Sequence, residues 1–147
     1  MPRHRAARPR PSPVRGAFRL ALSEVAEGIR SSAEADRRTL IKRARLPEPI
    51  FNPCLFAGNA FLGSPDAWWP DAGVAGEVDS REWHLSPQDW ERTLARQTRM
   101  SARGIIVLHF TPRQIRSGRR AVAEEIRSAL QAGRDRPALS IQARPAR

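Results

Sequence analysis

Three carboxylates, Asp66, Glu77 and Asp79, are the residues best placed by type and spacing to do chemistry. Asp66 precedes the turn signal Pro70-Asp71-Ala72-Gly73, and Glu77-Val78-Asp79 follows it. If the flanking segments are strands, alternation puts Glu77 and Asp79 on one face and Val78 on the other. Asp66, on the preceding strand, then faces them across the pair. Clustered carboxylates repel unless a cation or a proton intervenes. An oxygen-rich pocket of this kind suits Mg²⁺ or Mn²⁺, held by one or two carboxylates together with water and substrate phosphates. The expected metal ligands are therefore Asp66, Glu77 and Asp79. His84, in the loop beyond, is a candidate general base or leaving-group acid; its other reading is a loop residue bonded to Glu82 or Asp79. The chemistry such a set performs is metal-assisted hydrolysis of a phosphodiester.

The elements that must position these residues are legible around them. Phe18, Leu22, Val25 and Ile29 recur at helical spacing, predicting a helix over 15–26 that ends near Gly28. Ser31-Ser32-Ala33-Glu34 has the form of a capping box opening a second helix, which Pro47 and Pro49 stop. Ile50 to Phe56 reads as a strand, with Pro53 marking an edge or a bulge. Phe61 to Trp69 and Gly73 to Asp79 follow as the acid-bearing strands. Trp68 and Trp69 are adjacent, so one packs on each side of the sheet. Ser86-Pro87-Gln88-Asp89 opens a helix that Gly104 closes. On it, Arg92, Arg96, Arg99 and Arg103 form one stripe, a candidate track for a phosphate backbone or simply a solvated face. Ile105 to Phe110 is apolar enough for a buried, central strand, in which His109 reads as structural. A last helix, with Val122, Ile126, Ala129 and Leu130 on one face, ends at Gly133.

The order Pro-Asp, a short gap, Glu-x-Asp and then His, on these elements, resembles the PD-(D/E)xK nuclease superfamily. It looks closest to the branch of the very short patch repair endonuclease and its bacterial relatives. The resemblance covers Ser31 to Gly133 and implies a restriction-endonuclease-like, three-layer α/β/α fold with a mixed sheet of about four strands. Asp66 and Glu77 match the metal-binding carboxylates of that pattern, while Asp79 stands where Lys is usual. The implied activity is that of a Mg²⁺-dependent endonuclease, with DNA the expected polymer. A fold of this kind that binds nucleic acid or a protein partner without cutting, as in a toxin–antitoxin or regulatory setting, is the alternative. An interaction module whose acids are merely solvated is a third.

Composition narrows the remaining classes. The 147 residues suffice for one packed core. Of the net charge of +11, residues 1–20 hold six Arg and no acid, and residues 134–147 hold four Arg and one Asp. Residues 1–13 and 134–147 are thus expected to be basic, disordered arms that touch phosphates loosely, with 14–30 an accessory helix and 31–133 the folded domain. Lys42 is the only Lys, which leaves little room for Lys-based catalysis. Cys54 is the only Cys, so neither a disulfide framework nor a Cys-based zinc site is available, and a reducing cytoplasm is expected. No apolar run is long enough for a bilayer, no signal peptide is legible, and no membrane partner is expected. No Walker motif, dinucleotide loop or nucleophile elbow is present.

Overall fold

The structure, a computed structural model, describes residues 13–79 and 86–146. The chain divides into two units, Met1–Ala35 and Asp36–Arg147. Helix α1 runs from Pro13 to Arg43 without a break, so the two helices expected at 15–26 and from Ser31 are one. Gly28 does not end it and Ser31 does not cap a new start. A Gly inside a helix costs about 1 kcal/mol against Ala, which the Ala-, Leu-, Glu- and Arg-rich flanks outweigh. Leu22 and Val25 are exposed.

Asp36–Arg147 contains every described strand. The main sheet has the order β1-β4-β5-β6, built from Ile50–Phe51, Ala67–Trp69, Val74–Val78 and Ile106–Phe110. The first two pairings are antiparallel and β5–β6 is parallel, so this is the expected mixed, four-stranded sheet. A second sheet, β3-β2-β7, joins Ala60–Gly63, Cys54–Ala57 and Gln142–Arg144. Each of the first two strands expected from sequence is therefore two strands in different sheets. Pro53 lacks an N–H and Asn52 sits at φ +50°, which breaks Ile50–Phe56 into β1 and β2. Gly63-Ser64-Pro65 makes the equivalent break between β3 and β4.

Two apolar cores lie on the two faces of the main sheet. Trp69, Val74 and Ala67 pack with Leu40 and Ile41 of α1 and with Val122, Ile126 and Leu130 of α4 (Arg119–Arg134). Trp68 and Ala75 pack with Leu55 and Leu62 of the small sheet, Met100 of α2 (Pro87–Ala102) and Ile105. The two tryptophans thus serve opposite faces, as alternation requires. Short α3 (Pro112–Ser117) opens on a Thr111–Gln114 capping box before α4.

Two expectations need correction. Strand β6 is at an edge of its sheet and not central; its apolar character comes from helices on both faces, not from strands on both sides. The C-terminal stretch is not a disordered tail. β7 pairs antiparallel with β2 through Cys54↔Arg144, Leu55↔Ala143 and Phe56↔Gln142. Leu139 and Ile141 pack on the second core, and Arg136 donates to the carbonyls of Ala72 and Gly73. Gly73, at φ +62°, is required twice here: for the turn, and because a Cβ would lie 2.7 Å from Leu139 Cδ1. Among the described residues no helix is long and apolar enough to cross a membrane.

Candidate active site

The register of the main sheet builds the site. Ala67 pairs with Gly76, so Asp66, one position before β4, stands opposite Glu77. On the other side Glu77 pairs with His109 of parallel β6. Asp66, Glu77 and His109 thus form one row across the sheet, at the carboxyl end of β5. Asp79 continues the ladder, its N–H donating to Phe110 O at 2.7 Å.

Asp66 terminates the β4–β5 pairing with its side chain. Oδ2 accepts the Val78 N–H at 2.8 Å, where β4 has no further residue to offer. Oδ1 lies 3.1 Å from an Arg37 guanidinium nitrogen on α1. The Asp66 carbonyl accepts the Asn52 N–H at 3.1 Å. The carboxylate is therefore fixed from two sides.

Glu77 is the buried charge of the described structure, 5% exposed. Its Oε2 accepts from Arg96 Nη2 at 3.0 Å and lies 3.7 Å from His109 Nε2. Its Oε1 is buried with no hydrogen-bond partner among the described residues, and so are His109 Nε2 and the Nε atoms of Arg37 and Arg96. Burial raises the Glu77 carboxyl above the usual carboxylate range; Arg96 and His109 pull it back and the Asp66 charge adds to the rise. A buried carboxylate oxygen left unpaired costs about 1–3 kcal/mol or more, so Oε1 is a place where a cation would be stabilising.

Arg96 reaches Glu77 because Gly63 leaves it room. A Cβ on Gly63 would sit 2.8 Å from Arg96 Cγ. The stripe on α2 is accordingly divided. Arg96 turns inward, while Arg92, Arg99 and Arg103 are exposed, with Arg92 only loosely paired to Asp89 at 3.8 Å. His84 lies outside the described residues. The sequence did not mark Arg37 or Gly63 as part of the site, and it favoured a structural over a catalytic role for His109. A parallel pairing of Gly73–Asp79 with Ile105–Phe110 was the signal that could have brought His109 to Glu77.

Among the described residues no three Asp, Glu, His or Cys side chains gather as a ready metal cradle. The donor chemistry still fits a hard cation, since Mg²⁺ needs only one or two carboxylates and takes water and phosphate for the rest. Asp66 and the unpaired Oε1 of Glu77 meet that minimum. No protein-family profile, curated protein or solved structure matches the chain.

Proposed function

We propose that this chain is a metal-dependent endonuclease of the cytoplasm acting on nucleic acid, DNA for preference. The observation that carries the reading is the Asp66–Glu77 juxtaposition at the end of β5, with the buried Oε1 of Glu77 unpartnered among the described residues. Asp66 and Glu77 would hold Mg²⁺ or Mn²⁺, and Asp79 would orient water or share a second ion. A bound ion would supply Lewis-acid polarisation of the phosphate and a water of lowered pKa. The chain's own residues do the rest. Arg96 holds Oε2 of Glu77 by a hydrogen bond, with His109 Nε2 3.7 Å away on the same side, and so leaves Oε1 for an ion. Arg37 and the Val78 N–H fix the Asp66 carboxylate. Arg92, Arg99 and Arg103 offer exposed guanidinium groups to the polymer backbone, positioning it without reading sequence.

A second reading has an observation of its own. Each carboxylate already has an arginine on it, Arg37 on Asp66 and Arg96 on Glu77, and Asp79 replaces the Lys of the resembled pattern. Such a site, neutralised from within, belongs to a fold that binds nucleic acid or a protein partner without cutting.

One experiment separates the two. Wild type, Asp66→Asn and Glu77→Gln are incubated with supercoiled plasmid and short duplexes in Mg²⁺, Mn²⁺ or EDTA, with calorimetric ion titration alongside. Metal-dependent cleavage lost in both variants is the expected result. Ion-independent binding without cleavage by wild type would establish the second reading.

A further inference from the structure

The small sheet carries a surface unlike the carboxylate site. Leu55 and Leu62 are buried in the second core, so alternation turns Phe56 and Phe61 to the outer face. The register sets Phe61, Phe56 and Gln142 side by side across β3, β2 and β7. The two rings lie 5.4 Å apart, tilted by 56°. Arg144 shares this face, two residues from Gln142, and lays its guanidinium over the Phe56 ring at 4.3 Å. The same guanidinium donates to Gln142 Oε1 at 3.3 Å. Phe61 is 51% exposed, and Gln142 and Arg144 are exposed as well. None of the three strands contains an acidic residue.

Cross-strand pairing of the two rings stabilises the hairpin, but that role would be filled equally by two covered side chains. What the face adds is an open ring, a stacked guanidinium and an amide on one flat support. Those groups match an unpaired nucleobase. The ring and the guanidinium plane stack on its π-face, the amide can pair with its edge, and the positive charge answers the phosphate. The net charge of +11 draws any polyanion, single- or double-stranded. A stacking surface discriminates between the two, because a duplex keeps its base faces against one another.

We propose that the outer face of the small sheet is a platform for unpaired nucleobases of single-stranded nucleic acid, with Phe61 and Arg144 as its principal contacts. The platform is independent of the carboxylate site and needs no metal ion. The test is fluorescence anisotropy in EDTA, where no metal-dependent cleavage intervenes. Wild type, Phe61→Leu and Arg144→Ala are titrated against labelled oligothymidylate, oligouridylate and a duplex. All three proteins carry the same arginine-rich N-terminus, so its contribution cancels. Phe61→Leu keeps an apolar side chain opposite Phe56, and Arg144→Ala alters an exposed position, so thermal melts should stay close to wild type. Single strands should bind wild type more tightly than duplex does. Each substitution should weaken single-strand binding by about fivefold or more, as loss of a base-stacking group does, with duplex binding nearly unchanged. The thymidylate and uridylate arms decide between DNA and RNA as the source of the strand. Single-strand binding equal to wild type in both variants, or an equal loss for duplex and single strand, would overturn the proposal.

Discussion

Arg96, in the middle of α2, reaches across to Glu77 on β5 and places Nη2 3.0 Å from Oε2. The pair joins the helix to the sheet through the face that also carries Trp68 and Ala75. Removing the arginine leaves a nearly buried carboxylate without its strongest partner. Arg96→Ala is expected to destabilise the fold by about 2–3 kcal/mol, less than the roughly 3–5 of a fully buried pair because solvent reaches Arg96. Urea unfolding of Arg96→Ala, Glu77→Gln and the double variant gives the coupling energy directly. Gly63→Ala should reproduce part of the effect, since its Cβ would occupy the path of the Arg96 stem.

Glu77 makes stability depend on pH in a direction opposite to a salt-bridged surface acid. Its folded pKa is raised, chiefly by burial. Its contribution is therefore fully present below the unfolded carboxylate pKa and is lost as pH rises through the folded value. Glu77→Gln is neutral throughout and removes this dependence. Thermal melts of wild type and Glu77→Gln, taken from neutral pH downward, should show wild type gaining relative to the variant as pH falls through the carboxylate range. A constant difference would mean that the pKa of Glu77 is the same folded and unfolded.

The C-terminal strand predicts a cost for truncation. Leu139 and Ile141 cover the second core and β7 extends the small sheet. Leu139→Ala should cost about 1–2 kcal/mol, the lower part of the usual range because Leu139 is only half-buried. Deleting residues 134–147 should lower the melting temperature by more than Leu139→Ala does, whereas a dispensable tail would leave it unchanged.

The N-terminal arginines predict a salt effect. Arg3, Arg5, Arg8 and Arg10 precede α1 with no acid among them. Deleting residues 1–12 should flatten the slope of log affinity against log salt for duplex DNA, by roughly one unit for each phosphate that is no longer neutralised. An unchanged slope would assign phosphate binding to α2 and the rest of the folded chain.

Local signals carried much of this architecture. Ser86, Pro87 and Gly104 bound α2, Thr111 and Gln114 cap α3, and the adjacent tryptophans divide between two cores. These are short-range features, and a single sequence displays them. What the sequence hid was non-local. Pairing of β7 with β2 joins residues far apart in the chain through only Leu139 and Ile141 as apolar cues. The site divides the same way. Asp66 and Glu77 were legible from a turn and an alternation. Arg37 was not, because one Arg among many on α1 carries no mark of its destination. Arg96 was legible as charge, but its inward turn depends on the absent side chain of Gly63.

The hand-over between the two sheets has a consequence for how this chain can vary. It leaves the main sheet at Phe51 and returns at Ala67, and those two residues are paired with each other. The Asn52 N–H donates to the Asp66 carbonyl just beyond that pair. The excursion from Asn52 to Pro65 is therefore closed at its own neck, and a loop closed at the neck can change in length at its tip without pulling on the neck. Insertions around Gly58-Asn59 would remodel the outer face while Asp66 kept its place opposite Glu77. The carboxylate row and the aromatic face are in this sense separately evolvable: the excursion carries Phe56 and Phe61 but only borders Asp66, so natural selection, or an engineer, can edit its tip while holding the row.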